Sequence, residues 1–255
     1  MAQPVATTSR FVGLRRTGLP IGVPVALLAL AAVGWWWSAR MADMEMVGMR
    51  DHFMSVGAFL LAWVAMMGAM MFPAISPVVL LYSRAAARRT VAPLPFFITG
   101  YVAVWTAVGL PAYVAWRELA MPIAEGRAWA GRLAGAVLLV AAIWQLTPLK
   151  SICLRHCRSP MGFFLRFGRE LSRPVGALRM GFAHGVFCLG CCWALMAVLV
   201  ALGTMNLLWM IVLAMFIFLE KDARHGEGIA IVGAAAFVVL GLVLLFVPST
   251  LVHVT

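Results

Sequence analysis

Residues 180–196 read MGFAHGVFCLGCCWALM, and the character of the whole chain turns on them. The stretch is apolar enough for a helix buried in lipid, yet it carries His184, Cys188, Cys191 and Cys192. At about 100° per residue, with His184 as zero, Cys188 falls at roughly +40°, Cys191 at −20°, Cys192 at +80° and Met180 at −40°. One helix face therefore carries an imidazole, three thiols and a thioether. Such ligands select Cu(I), and thiolate with imidazole also suits Zn(II). A packing explanation makes cysteine and methionine apolar filler and lets Gly185 and Gly190 bring helices close. It accounts for the glycines. It accounts less well for three of five cysteines and a histidine on one face, because ionisable groups inside a membrane point to function. Metal binding is the reading preferred here, ahead of packing and of thiol redox chemistry.

Composition agrees with a lipid setting. Hydrophobic residues make up 64% of 255 positions, charged residues 11%, and the mean hydropathy is +0.98. A soluble domain cannot hide that much apolar surface, so an all-α, polytopic membrane helix bundle is expected. The net charge of +11 does not indicate nucleic acid, because the basic residues gather at the ends of apolar runs. The cysteines are odd in number and none falls in an expected outer loop, so they read as thiols rather than as a disulfide framework.

Seven spans are expected, at about 19–39, 54–82, 94–116, 128–146, 177–202, 205–219 and 229–247. The basic start before the first span is like that of a signal peptide, but the apolar run is long and lacks a small-residue cleavage pattern, so it is read as retained. The chain then divides into a tail at 1–18, one transmembrane domain at 19–247 and a tail at 248–255. Fifteen of the twenty Lys and Arg residues fall on one side of this scheme: Arg10, Arg15, Arg16, Arg84, Arg88, Arg89, seven from Lys150 to Arg179, Lys221 and Arg224. That bias places the N-terminus in the cytoplasm and the C-terminus outside, with the loop at 147–176 meeting the anionic membrane lipids of the inner leaflet.

Three further stretches bear ligand-type side chains. The loop RMADMEMVGMRDHFM at 40–54 holds Met41, Met44, Met46, Met49 and Met54 beside Asp43, Glu45, Asp51 and His52. It reads equally as an apolar cap on the bilayer and as a low-affinity copper uptake site. The second span carries Met66, Met67, Met70 and Met71 ahead of Pro73 and Pro77, with Met66 and Met70 sharing a face and Met67 and Met71 another. Core packing and a metal path are evenly matched there. At 1.5 Å per residue, Met66 and Met71 lie about 18 and 26 Å from the outer end, and His184 and Cys192 about 11 and 23 Å from the inner end. Both sulfur clusters thus overlap around and just below the midplane of a core about 30 Å thick. The cytoplasmic loop at 147–176 contains Cys153, His156 and Cys157, a thiol pair one turn apart with an imidazole; they read slightly more readily as ordinary interfacial cysteines than as a place to load or release a soft metal. Its second half, Met161 to Phe167 with interleaved arginines, reads as a helix lying on the inner leaflet. Glu220 and Lys221 read as the cytoplasmic end of the sixth span; the alternative is that Glu220 supplies a carboxylate to the site, though its depth argues against direct ligation.

The motifs AMMFPAISP, QLTPLKSICLRHCRSP, GFAHGVFCLGCCWALM and NLLWMIVLAMFIFLEK, in that order, resemble the family of predicted metal-binding integral membrane proteins that includes membrane copper chaperones associated with bacterial copper oxidases. The resemblance covers about residues 55 to 245 and leaves out the first span and its Met-rich loop. It implies copper handling in a bacterial inner membrane, with delivery to a copper-dependent client enzyme or membrane complex. The matching positions are Met66, Met67, Met70, Met71, Pro73, Pro77, Lys150, Cys153, Cys157, His184, Cys188, Cys191, Cys192, Met196, Glu220 and Lys221.

Three functions compete. In the first, Cys188, Cys191 and His184 form a trigonal Cu(I) site, methionines of the second span accept the ion, and the chain acts as a chaperone or slow transporter. Zn(II) is the less favoured cargo. In the second, the chain is an assembly or structural subunit of a larger complex with a fixed metal. The third, an intramembrane oxidoreductase using Cys191 and Cys192, ranks last because adjacent cysteines form a strained disulfide and diverge by about 100° on a helix. No P-loop, dinucleotide fingerprint or serine-nucleophile elbow is visible, so no enzyme activity is expected.

Overall fold

The computed structural model describes residues 22–46, 54–87, 94–158, 173–203, 206–223 and 226–251. Among these residues there are eight α-helices and no strand: α1 (Gly22–Met46), α2 (Val56–Ala87), α3 (Leu94–Ala124), α4 (Ala128–Gln145), α5 (Pro148–Arg158), α6 (Pro174–Ala201), α7 (Leu207–Asp222) and α8 (Gly226–Phe246). A 3₁₀ turn, Pro248–Thr250, follows α8. The all-α class is as expected.

Among the described residues five helices are long and apolar enough to cross a membrane: Val56–Leu81 of α2, and α3, α4, α6 and α8. The apolar part of α1, Val25–Arg40, is shorter, and α7 has 16 residues. The helix α1 also runs on to Met46, so Met41, Met44 and Met46 of the expected loop belong to a helix. Met49, Asp51, His52, the tail at 1–18 and the inner-leaflet segment from Met161 to Phe167 lie outside the described residues.

The exterior is apolar and the interior partly charged, the reverse of a soluble protein. Leu61, Ile143 and Val232 are exposed, whereas Lys150, His184, Glu220 and Lys221 are buried. Lipid makes the first group inexpensive and demands partners for the second.

The main packing pairs are α3 with α6, α4 with α8, and α1 with α2. Phe97 of α3 abuts Gly181 of α6, and further along both helices Tyr101 meets Cys188, so α3 and α6 run parallel. Their approach is close enough that a Cβ on Gly181 would stand 1.9 Å from the Phe97 carbonyl oxygen. Only glycine permits that crossing. In contrast, α2 and α3 are antiparallel: Tyr113 Oη donates to the Met54 carbonyl at 3.3 Å, and Trp63 Nε1 to the Trp105 carbonyl at 2.9 Å.

The break between α4 and α5 decides what reaches the centre. Pro148 has no amide proton to continue α4, and Thr147 Oγ1 accepts from the Lys150 amide at 3.3 Å while donating to the Trp144 carbonyl at 2.8 Å. Trp144 Nε1 in turn donates to the carbonyl of Gly190, halfway along α6, at 3.2 Å. So α5 begins at the middle of α6 and packs against it and α7. The segment expected to be a loop at 147–158 is a helix folded back on the bundle.

Candidate metal centre

The middle of α6 brings three thiols together by helical spacing alone. The sulfurs of Cys188, Cys191 and Cys192 all lie within 4.8 Å of one another, with those of Cys191 and Cys192 3.3 Å apart. The three residues are 0–1% exposed. The Cys191 thiol also donates to the Cys188 carbonyl one turn back, at 3.1 Å.

A fourth thiol comes from α5. The sulfur of Cys157 lies 3.9 Å from that of Cys191, which joins the cytoplasmic-loop cysteine to the α6 cluster. Hydrogen bonding to the Cys188 sulfur, together with burial, holds the Cys157 thiol well above the usual thiol range. Cys153 does not join the cluster: its sulfur occupies the space left by the missing side chain of Gly190, and burial pushes its thiol up. His156 also faces elsewhere. Its ring stacks on Phe187 at 4.4 Å and its Nδ1–H donates to the Ile152 carbonyl at 2.9 Å.

His184 is 2% exposed, one turn before Cys188, with its ring centroid 6.1 Å from Phe97 and 6.0 Å from Tyr101. It stands outside the set of three mutually close sulfurs. The second span supplies Met66, Met67, Met70 and Met71, all buried, and Met180 and Met196 are buried on α6. Of the α2 methionines, Met71 reaches the centre, with its sulfur 4.0 Å from the Lys221 Nζ.

Two further groups complete the surroundings of Cys188. Lys221 Nζ donates to its sulfur at 3.1 Å, and Tyr101 Oη lies 3.2 Å from it. Beside them Lys150 Nζ donates to Glu220 Oε1 at 2.5 Å, an ion pair whose side chains are 2% and 3% exposed. Glu220 therefore binds an ammonium of α5. Arg158 donates to the Ala223 carbonyl, a second tie from α5 to the end of α7.

Tyr101 and the contact of Lys221 with Cys188 were not legible from spacing along one helix. The resemblance marked Lys150, Glu220 and Lys221 without giving them roles. Opposite charges in or beside apolar spans were the available signal, since such groups seek one another in a low-dielectric interior.

The donor set is that of a soft metal: three buried thiols lie within 4.8 Å of one another, with a fourth, that of Cys157, 3.9 Å from Cys191. Fold and site together define a bundle of membrane-length helices around a buried thiol cluster. Residues 60–244 match the PpoB2 family, described as copper chaperone, and the chain belongs to that family. No curated protein and no solved structure matches the chain.

Proposed function

We propose that this protein holds Cu(I) on the thiols of α6 and passes it to a copper-dependent client, as an assembly factor for a copper enzyme in the bacterial inner membrane. The convergence of Cys188, Cys191 and Cys192 within 4.8 Å, in a chain of the copper chaperone family, is the observation that carries this reading. Cys157, 3.9 Å from Cys191, offers an arriving or departing ion its next sulfur, and the Met71 thioether lies 4.0 Å from the Lys221 ammonium that faces Cys188. Exchange between thioether and thiolate needs no redox step, so the ion can move from weak to strong ligands without a cofactor. His184 adds an imidazole one turn away and Met196 a thioether one turn beyond. The work is binding and handover rather than catalysis.

Seven spans with the N-terminus inside remain the proposed topology, with the transmembrane domain at 19–247. The parallel run of α3 and α6 and the antiparallel run of α2 and α3 support it. Reporter fusions after Ser159 should then read cytoplasmic, and fusions at the C-terminus extracytoplasmic.

The deciding experiment is metal analysis of detergent-purified protein expressed with copper and zinc both available. Copper should predominate. Cys188→Ser and Cys191→Ser should each lower its stoichiometry with folding nearly intact, because serine is close in size but a poor Cu(I) ligand. Unchanged copper in the double variant would overturn the reading. Copper that is bound but never exchanges with a chelator would favour the alternative of a structural subunit with a fixed metal, which the full burial of the thiols also fits.

A further inference from the structure

The thiols lie at the level where neighbouring spans stop. With 18 and 21 residues, α4 and α8 are about 27 and 32 Å long, one crossing of a bilayer core. The end of α4 puts the Trp144 ring on the Gly190 carbonyl, and α8 begins at Gly226, against the Arg158 guanidinium and the Glu220 carbonyl. Lys221, which touches Cys188, is in the last turn of α7. At that end α5 lies over the cluster. It starts beside α4, pairs Lys150 with Glu220, crosses α6 between Phe187 and Cys191, and finishes with Arg158 donating to the Ala223 carbonyl. Its Cys157 is 7% exposed, against 0–1% for Cys188, Cys191 and Cys192. Arg155 and His156 on the outer face of α5 are exposed, so the cover is one helix thick. In the other direction α6 continues from Cys192 to Ala201 through Leu195, Met196, Val198 and Leu199, all of them buried.

We infer that copper exchanges with the thiols beneath α5, on the side of the membrane where α4 and α7 end, and that α5 is the cover that moves to admit its partner. The inference rests on the reading of the cluster as a Cu(I) site and adds the route to it. Of its 11 residues α5 buries Lys150, Leu154 and Cys157, so its apolar hold on the bundle is small. A helix this short is marginal in water without packing. Its other ties are polar, Lys150 to Glu220 and Arg158 to the Ala223 carbonyl. Water replaces such ties far better than it replaces apolar packing. On α6 the way toward Ala201 passes apolar side chains and one thioether, and offers an ion no water in exchange for a lost ligand. Because Cys157 rides on α5, lifting the cover also draws one thiol away from Cys191 and leaves that place to another sulfur. The partner that fits is a water-borne carrier presenting a thiolate, since thiolate replaces thiolate with no change in the copper's oxidation state.

The test uses full-length, copper-loaded protein in sealed membrane vesicles of both orientations, with the side facing the medium assigned by a reporter fused after Ser159. Bathocuproine disulfonate, a charged Cu(I) chelator that does not cross the bilayer, is added anaerobically and its coloured complex followed in time. Vesicles bearing the Cys188→Ser/Cys191→Ser variant give the background. Chelator on the Ser159 side should strip copper roughly tenfold faster or more, because the easily opened element lies on that side alone. Two variants loosen the cover by different means: Lys150→Met/Glu220→Met removes the ion pair without stranding a charge, and Arg158→Ala removes the tie to Ala223. Each should speed stripping from the Ser159 side several-fold and leave the rate from the opposite side unchanged, which also shows that the bundle as a whole has not come apart. Equal rates from both sides of the wild type, or faster stripping from the opposite side, would overturn the inference alone. So would an unchanged rate in both folded variants. Wild-type protein that binds no copper, or yields it to neither side, would instead bring down the proposed function on which the inference rests.

Discussion

The sulfurs of Cys157 and Cys191 lie 3.9 Å apart although 34 residues separate them, so α5 delivers a thiol to the middle of α6. A modest rotation brings two such sulfurs to bonding distance. In a variant with Cys153, Cys188 and Cys192 changed to Ser, diamide should therefore form a Cys157–Cys191 disulfide. Mass spectrometry of the digested protein would detect the cross-linked peptide. Its absence from folded protein would show that α5 does not dock on α6 in this register.

The Lys150–Glu220 pair should be much more costly to break than to replace. Lys150→Met leaves a carboxylate buried without its cation, a loss of about 3–5 kcal/mol. The double variant Lys150→Met/Glu220→Met removes both charges and should recover most of that stability. Thermal melting of the wild type and the two variants in detergent measures the difference. A double variant as unstable as the single one would show that the ion pair is not the origin of the loss.

Among the α2 methionines, the contact with Lys221 distinguishes Met71. Leucine keeps volume and hydrophobicity while removing sulfur, so Met71→Leu should preserve expression and slow copper transfer to a chelator several-fold. The pair Met66→Leu/Met70→Leu tests whether the upstream thioethers form part of the same path. If all three changes leave transfer and copper content at wild-type levels, the methionines serve packing only.

Gly181→Ala puts a methyl group where the Phe97 carbonyl already stands. Overpacking of this kind costs about 1–3 kcal/mol. Because α3 carries Tyr101 to Cys188, forcing the helices apart should lower copper retention together with melting temperature. Exposed Gly57 has nothing within 4 Å of its Cβ position, so Gly57→Ala should change neither and serves as the control.

The α6 thiols were legible because their grouping depends on one helical period. Cys188, Cys191 and Cys192 meet once the segment is helical, whatever else it touches. Lys221 and Tyr101 were hidden because their meeting with Cys188 depends on how α3 and α7 pack, which a local pattern does not encode. Cys157 illustrates a mixed case. Its ligand character was plain, but treating 147–176 as a loop kept it at the mouth of the bundle, whereas Pro148 and Thr147 fold it inward as a helix. The same fold separates it from its supposed partners, since Cys153 fills the space beside Gly190 and His156 lies on Phe187. The charged pair was placed in different environments on sequence grounds, Lys150 in a loop and Glu220 at a helix end. Only their distance reveals a common interior.

The tie between Lys150 and Glu220 also imposes an order on biogenesis. Lys150 is synthesised 70 residues before its partner, so α5 has no buried counter-ion to dock on until α7 has followed it out of the ribosome. Until then the ion pair does not fix Cys157 beside the α6 thiols, and Lys221 does not yet exist to face Cys188. A nascent chain thus forms the three-thiol group of α6 first, and gains the fourth sulfur and the facing ammonium only when insertion is nearly complete.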